Sequence, residues 1–370
     1  MTEQNNFLTD QIITYMGNKR KLLYAIENAL STIQTELNTT QLSIGDGFSG
    51  SGIVSRLFKT KASTLYTNDL AGYSQTLNEC YLATPTNKQQ TQIKKYIDTI
   101  NNLDFNSVNE PWISKHWAPV NTTITKNDRV FFTHENGKRI DIMRDYIQNN
   151  IPNEYKHFVL APLLVETSIH NNTNGQFSAY YKDETDIGAY GGKNGVDIKR
   201  ITKEIHIPYP IFCENKCKIN ISRNDVNEWV KTIPKLDVVY FDPPYNKHPY
   251  NIYYFLLDIV NEWDKTQEIP STYRGQPKNW EQSKYNSSIH AKNAMKDLIT
   301  NTNAKYIMVS YNNGGIIPIH ELDELLIQFG NLHKIPIEHK TYNRLKGISN
   351  YKREKEYTDV KEFLYVLKKK

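Results

Sequence analysis

The tetrapeptide Asp242-Pro243-Pro244-Tyr245 directly follows the apolar run 236–241, and it constrains the fold of this chain more than any other segment does. Proline has no backbone N–H and a fixed φ, so a buried strand must end where two prolines follow Asp242. The sequence therefore predicts a stiff loop at the carboxyl end of a strand. That loop offers one carboxylate, backbone carbonyl groups and an aromatic ring.

Strand and helix patterns alternate on both sides of this loop. Apolar residues at helical spacing predict a helix over 20–36. Short apolar runs predict strands at 42–44, 65–67, 219–221, 306–311 and 363–367. A glycine-rich turn at 45–52 leads from the first strand into a helix that starts at 53. This order of strand, turn, helix and strand is typical of a doubly wound α/β sheet.

The alternation fades between residues 84 and 210, where Asn, Thr, Tyr and Gly are frequent and one helix is predicted at 157–170. We therefore predict a core formed by 1–83 and 211–370, interrupted by an inserted domain over 84–210. A second, polar insertion is predicted at about 262–300 within the core.

The charge of the chain is unevenly distributed. The net charge of +5 is only mildly basic. Residues 340–370, however, contain ten Lys or Arg against four acids, a local difference of +6. Such a patch favours binding of a polyanion, and Arg344 and Lys346 are the candidates for phosphate contacts. A solubilising tail is the alternative for the last three lysines.

Other features limit the environment of the protein. Three cysteines give no disulfide framework and indicate a reducing compartment. Their spacing is not that of a zinc site, so we expect no metal. The polar N-terminus has no signal-peptide pattern, and no apolar run approaches the ~18 residues of a membrane span. We expect a soluble, cytoplasmic protein that makes no membrane contact.

The glycine-rich turn is a candidate cofactor site, because glycine lets the backbone turn tightly and approach a ligand closely. It lacks the Gly-Lys-Ser/Thr of a phosphate loop and the spacing of the dinucleotide fingerprint. A purely structural turn remains open. The candidate residues are Asp46, Gly47, Phe48, Ser49, Gly50 and Gly52.

Two further segments fit a cofactor site. Asp69 ends the next predicted strand about twenty residues after the turn, where an acid can accept both hydroxyls of a ribose. Alone, it would be interpreted as a helix cap. Tyr15 and Lys19 place a ring and an ammonium group just before the first predicted helix; a surface turn is the alternative there.

The groups of the 242–245 loop suit a flat base with an exocyclic amine. The N6 lone pair of adenine is delocalised into the ring, so N6 is a poor nucleophile. Acceptance of both N6 hydrogens by Asp242 and the Pro243 carbonyl would favour a pyramidal nitrogen with a free lone pair. Tyr245 would stack on the base, contributing roughly 1–3 kcal/mol. Such a base must leave the duplex stack. A rigid structural turn is the alternative.

In their order, these blocks resemble the Dam-like adenine-specific (N6) DNA methyltransferases, which include many type II modification methylases. The resemblance implies an S-adenosylmethionine-dependent, Rossmann-like methyltransferase core with a mostly parallel seven-stranded sheet and an inserted DNA-recognition domain. It also implies that Tyr15, Lys19, Asp69 and Asp242 contact the cofactor, together with the glycine-rich turn. Asp225 occupies the place where the family contacts the cofactor adenine; a helix cap is the alternative there.

The same resemblance assigns DNA recognition to 84–210. Within it, Asn172, Asn174, Tyr180 and Lys182 combine amides, a ring and a cation, which can contact base edges, stack and bind phosphate. An Asn-rich composition can equally reflect an A·T-rich genome.

The function predicted from the resemblance is site-specific transfer of a methyl group from S-adenosylmethionine to N6 of a flipped adenine in double-stranded DNA. N4-cytosine methylation needs the same amine activation, and a non-catalytic DNA-binding subunit is the alternative from another class. A cognate restriction endonuclease is a candidate partner. The recognition sequence and the choice between monomer and dimer stay open.

Overall fold

Seven strands form one sheet in the computed structural model, which describes residues 3–15, 17, 19–278, 283–337 and 361–370. The strands are β1 Leu42–Asp46, β2 Ala62–Asn68, β3 Lys218–Ser222, β4 Leu236–Phe241, β5 Ala304–Asn312, β6 Gly330–Ile337 and β7 Glu362–Lys369. Their spatial order is β3-β2-β1-β4-β5-β7-β6. Strands β1 to β5 pair in parallel, while β7 is antiparallel to both of its neighbours. The predicted α/β fold with a mostly parallel seven-stranded sheet is confirmed.

Helices cover both faces of this sheet. They are α1 Glu3–Thr9, α2 Leu23–Glu36, α3 Ile53–Lys59, α4 Gly72–Tyr81, α5 Asn87–Asn101, α6 Ile113–His116, α7 His134–Asn150, α8 Asn153–Ile169, α9 Ile198–Thr202, α10 Val226–Thr232, α11 Asn251–Glu262, α12 Ala291–Asn301 and α13 Ile319–Ile327. Successive residues of a strand point to opposite faces. In β4, Val238 and Tyr240 accordingly pack with α2 and α3, whereas Val239 and Phe241 pack with α10, α12 and α13.

The chain reverses its direction across the sheet next to β1. It passes from β1 to β2 and β3 on one side, then returns to place β4 on the other side of β1. In open parallel sheets, such a switch point leaves a crevice beyond the carboxyl ends of the strands, where ligands bind. The glycine-rich turn after β1 and the Asp-Pro-Pro-Tyr loop after β4 both lie at this edge.

The regular secondary structure of segment 84–210 is helical, with α5 to α9 and no strand of the sheet among its described residues. Its apolar side chains, including Ile97, Met143 and Leu163, belong to one buried cluster with Tyr73 of α4 and Leu257 of α11. The inserted segment therefore shares its hydrophobic core with two helices of the predicted core region.

The prediction of one polar insertion over 262–300 is wrong for its last ten residues. Helix α12 buries Ala294, Met295 and Leu298 in the cluster that covers β4 and β5. Two parallel neighbours such as β4 and β5 require a crossover connection, and α12 forms the last part of it. Polar residues on the exposed face of this helix hid its apolar spacing.

No helix in the described part of the chain is long and apolar enough to span a bilayer.

Candidate active site

A cavity of about 610 Å³ opens at the carboxyl edge of the sheet. Five of the residues predicted from the sequence line it together: Tyr15, Phe48, Asp69, Asp242 and Pro244. Its opposite wall is a face of α11 and the residues before it, with Tyr250 and Asp258. Segments separated by more than 200 residues in sequence thus meet around one space.

Asp242 places one carboxylate oxygen in a tight network. Its Oδ1 accepts a hydrogen bond from the Tyr245 hydroxyl and lies 3.1 Å from Lys19 Nζ. Its Oδ2 takes part in none of the hydrogen bonds among the described residues. Burial raises the pKa of Asp242 to about 6, and the nearby Lys19 charge opposes that rise. One oxygen is therefore held by the protein, and the other remains an acceptor for a ligand in the cavity.

Lys19, a predicted cofactor contact, is paired with protein groups and is not among the described residues that line the cavity. Its side chain is 4% exposed, and Nζ donates to Glu362 at 2.6 Å and to Tyr245 Oη at 2.8 Å, in addition to its ion pair with Asp242. An ammonium group has three N–H donors. Protein groups take all three here, so Lys19 ties the loop after β4 to the start of β7.

Tyr245 does not line the cavity in this structure, although the sequence predicts that it stacks on the base. Its ring packs edge-on against Tyr311, with centroids 5.0 Å apart, and its hydroxyl is held by Asp242 and Lys19. The reason is electrostatic: the phenol bridges a buried carboxylate and a buried ammonium group.

The predicted aromatic residue near the N-terminus belongs to a stack of three rings. Tyr15 lies 5.3 Å from Tyr250 and 4.7 Å from Tyr254, centroid to centroid, with interplanar angles of 19° and 17°. The sequence analysis assigned no role to Tyr250 or Tyr254. The helical spacing of these two tyrosines at i and i+4 was the available signal.

The glycine-rich turn brings its backbone close to neighbouring groups. Gly50 has φ +49° and donates its N–H to Asp69 Oδ2 at 2.8 Å. An added Cβ there would lie 3.0 Å from the Tyr15 ring, and one at Gly47 would lie 2.7 Å from Phe241. Gly52, at φ +76°, caps α3. Glycine is thus required for close packing as well as for conformation.

Two predicted cofactor residues lie beneath the turn and do not line the cavity of the described chain. Asp46 is fully buried and accepts a hydrogen bond from the Ser55 hydroxyl at 2.6 Å; burial raises its pKa to about 7. The Ser49 hydroxyl bonds to the Asn68 carbonyl and accepts from the Asn78 amide. Both side chains are buried and hold the shape of the turn, Asp46 at the end of β1 and Ser49 within the turn itself.

The two remaining predicted acids differ. Asp69 lines the cavity and accepts backbone N–H groups of Gly50 and Ala71 on its two oxygens; burial raises its pKa. The Asp225 side chain instead accepts from the Asn227 N–H at 2.9 Å as the N-cap of α10. In this structure Asp225 is a helix cap, which is the alternative to a cofactor contact that the sequence analysis gave for it.

Charged residues that the sequence did not single out line the α11 side of the cavity. Asp258 accepts from the Tyr73 N–H at the start of α4, and burial raises its pKa to about 7. Glu262 pairs with Arg223 at 2.6 Å. Asp258 and Glu262 stand at i and i+4 on one helix face, which was the only sequence signal for them. Together with Asp69 and Asp242, they give the cavity an excess of negative charge.

Two of the predicted DNA contacts in 84–210 are buried in the structure. The prediction is wrong for Asn172, which is fully buried: its Nδ2 donates to the Val130 and Ala189 carbonyls and its Oδ1 accepts from Gly191. Tyr180 is also buried, stacks on Tyr273 and donates to a backbone carbonyl. Both side chains satisfy polar groups of an irregular segment, as buried backbone requires.

The other predicted DNA-contact residues remain partly accessible or lie outside the description. Asn174 is half-buried. The Lys182 side chain is 24% exposed, with Nζ 2.7 Å from Asp186 Oδ1 and 4.4 Å from the Tyr273 ring centroid. Arg344 and Lys346 lie outside the described residues.

Comparison with known proteins identifies the family. Residues 15–321 match the D12 class N6 adenine-specific DNA methyltransferases. The chain belongs to this family. It is an enzyme that methylates N6 of adenine in DNA at specific sites, so the prediction of adenine as the target is confirmed. The family also implies a methyl donor and a DNA substrate.

Three relatives show how much of the chain is shared. The type II methyltransferase M.NlaIII of Neisseria lactamica is 27% identical over 96% of this chain and 99% of its own length. The type II methyltransferase M.CviAII of Paramecium bursaria Chlorella virus 1 is 24% identical, over 95% and 97% respectively. The modification methylase StsI of Streptococcus sanguinis is 26% identical over 96% of this chain, which spans 52% of the StsI length.

Proposed function

We propose that the methyl donor is S-adenosylmethionine and that the target adenine enters the cavity after extrusion from duplex DNA. The observation that carries the proposal is that Asp69, at the end of β2, and Asp242, at the end of β4, line the same cavity on either side of the glycine-rich turn after β1.

The cavity fits this donor in charge and shape. A sulfonium group is a cation, and Asp69, Asp242 and Asp258 all line the space. The Tyr15 stack offers ring faces that attract cations. We propose that Asp69 accepts ribose hydroxyls, and the missing Cβ of Gly50 leaves room beside Tyr15. When bound, the donor supplies an electrophilic methyl carbon on a positively charged sulfur.

Asp242 and the Pro243 carbonyl then act on the target amine. They accept the two N6 hydrogens, so the N6 lone pair points away from them toward the donor. The positive charge that develops on N6 is stabilised by the carboxylate, which is already in place and needs no reorganisation. Asp242 does not deprotonate N6 before attack, because a neutral aromatic amine is far too weak an acid. After the methyl group has been transferred, the cationic N6 loses one proton to the Asp242 carboxylate, which passes it to solvent water.

Tyr245 changes partners in this proposal. Its hydroxyl now occupies Asp242 Oδ1, and the incoming amine competes for the same carboxylate. Release of the hydroxyl frees the ring to stack on the base, at roughly 1–3 kcal/mol. Pro244 lines the cavity and limits the backbone changes of the loop during this step.

The inserted domain, taken as 84–210, is proposed to hold the DNA over the cavity. Segment 172–182 contacts elements beside the cavity: the Phe177 N–H donates to the carbonyl of Tyr253 in α11, and Gly175 packs on Thr14, next to Tyr15. If Lys182 contacts phosphate, Lys182→Ala lowers the salt dependence of DNA binding by about one ion. Lys231→Ala, which removes another carboxylate-paired lysine on α10, is the control and should leave that slope unchanged.

The names of the relatives support a proposal about a biological partner. M.NlaIII and M.CviAII are named as type II methyltransferases and StsI as a modification methylase. We propose that the enzyme protects DNA from a cognate restriction endonuclease. DNA from cells that express the chain should resist an endonuclease of the same site, and DNA from cells that express Asp242→Ala should be cut.

Nucleoside mass spectrometry of DNA treated with the purified protein and labelled S-adenosylmethionine tests the chemistry. N6-methyldeoxyadenosine should appear with the wild type and be absent with Asp242→Ala, while calorimetry still detects donor binding. Methylation-sensitive sequencing of the same DNA defines the site. N4-methylcytosine as the product, no binding of S-adenosylmethionine, or full activity of the variant would overturn the proposal.

A further inference from the structure

We propose that Glu362 is a positioning residue for methyl transfer: by drawing Lys19 toward itself, it keeps the Asp242 carboxylate available to the target amine. The inference rests on the proposed roles of Asp242 and Tyr245. Glu362 lies 343 residues from Lys19 in sequence.

The sheet fixes the position of Glu362. It is the first residue of β7 and pairs with Asn312 at the carboxyl end of β5. Because β7 is antiparallel to β5, its first residue lies at the edge where the parallel strands end and the cavity opens. The side chain is 15% exposed, so its charge is only partly screened by water.

Lys19 is shared between two carboxylates. Its Nζ lies 2.6 Å from Glu362 Oε1 and 3.1 Å from Asp242 Oδ1, and its remaining donor is used by Tyr245. The ammonium group is therefore closer to the carboxylate that does not line the cavity. Two negative charges face one positive charge, and the excess negative charge remains on the side of Asp242.

Removal of the Glu362 charge would change this balance. With Gln at 362, Lys19 would neutralise Asp242 alone and bind its oxygen more tightly. The carboxylate would then be a poorer acceptor for N6 hydrogens and would stabilise less positive charge on N6. Methyl transfer should become slower, although Asp242 itself is unchanged.

The ionisation of Asp242 reports this coupling. The groups that face it are Lys19, Glu362, Tyr245, Tyr240, Tyr250 and Asp46. Burial raises the pKa of Asp242, the Lys19 charge lowers it and the Glu362 charge raises it. The two variants Glu362→Gln and Lys19→Gln should consequently shift the pKa of Asp242 in opposite directions.

Single-turnover methylation by the full chain, measured from pH 5 to 9 with saturating donor and DNA, tests the inference. In Glu362→Gln the acid limb of the rate profile should move to lower pH by about 0.5–1 unit, and the plateau rate should fall about tenfold. In Lys19→Gln the acid limb should move to higher pH by about one unit. Glu362→Asp restores the charge and should return the limb toward the wild-type position.

Glu36→Gln is the matched control. Glu36 also pairs with a lysine, Lys368 of β7, and accepts from the Tyr306 hydroxyl, but it lies outside the cavity. This variant should leave the plateau rate and the acid limb unchanged.

An acid limb that stays in place or moves to higher pH in Glu362→Gln would overturn the inference, as would equal shifts in Glu362→Gln and Glu36→Gln. If Glu362→Gln does not fold, Glu362→Asp and Lys19→Gln test the inference in its place. An acid limb that does not move to higher pH in Lys19→Gln would then overturn it. Full activity of Asp242→Asn would instead refute the proposed function on which the inference rests.

Discussion

The substitution Asp242→Asn separates the catalytic role of the carboxylate from its cost in stability. Asparagine keeps the shape and one acceptor oxygen for Tyr245 but removes the negative charge. Loss of one preorganised group that stabilises developing charge costs about 10²–10³ in rate, or roughly 3–4 kcal/mol. We expect the single-turnover rate of N6-adenine methylation to fall by at least this factor.

The same substitution should not destabilise the fold. Burial raises the pKa of Asp242 to about 6 from a reference value of 3.8, and the side chain is 19% exposed. At pH 8, where the carboxyl group is ionised, a pKa difference of about 2 units destabilises the folded state by roughly 3 kcal/mol. Lys19 keeps its ion pair with Glu362 in the variant, so no buried ammonium group is left unpaired. The free energy of unfolding should therefore be unchanged or higher, by at most about 3 kcal/mol.

Urea unfolding at pH 8 and rapid-quench methylation with labelled donor measure the two effects. Asp237→Asn, on the same strand, is the control: Asp237 pairs with Lys305 and accepts from Ser43, outside the cavity. It should lose about 1 kcal/mol of stability and no activity. A variant at 242 with more than about a hundredth of the wild-type rate, or one destabilised by over about 1 kcal/mol, would refute the reasoning.

Three further predictions concern the cofactor side of the cavity. Gly50→Ala should weaken donor binding at least about tenfold by calorimetry, because its Cβ would displace an aromatic ring; Gly195→Ala, at a similarly positive φ with open space around it, should not. Asp225→Ala should cost about 1 kcal/mol in urea unfolding through loss of the helix cap; a larger effect on donor affinity than on stability would favour the cofactor contact instead. Because the folded-state pKa of Asp46 is about 7 and its reference value is 3.8, its contribution to stability falls as pH rises from about 4 to 7. Asp46→Asn should thus be more stable than the wild type at pH 8 but not at pH 4. An equal gain in the free energy of unfolding at both pH values would show that ionisation of Asp46 does not destabilise the folded state.

The motifs were predictable because each is a local pattern with a local physical cause. Two prolines after Phe241 end a strand, and the glycines at 50 and 52 adopt positive φ values in a strand–helix turn. Strand β6 was not predicted, since Pro336 interrupts its pattern. An edge strand tolerates that proline because one side of its ladder needs no hydrogen bond.

Side-chain contacts could not be predicted where the partner is distant in sequence. Asn172 looked like a DNA contact because its neighbours are polar, yet three backbone groups from other segments surround it. Lys19 looked like a cofactor contact because it precedes a helix beside Tyr15. In the structure its charge is paired with Asp242 and with Glu362, which lies 343 residues away in sequence.

By itself, the sequence determined that strands end in a glycine-rich turn, in Asp69 and in the Asp-Pro-Pro-Tyr loop, because backbone conformation depends on neighbouring residues. Only the tertiary structure decided which charges pair. Whether a carboxylate is neutralised, left available or kept protonated depends on distances across the sheet and on burial. Those distances follow from strand order, in which β4 returns beside β1 and β7 inserts beside β5.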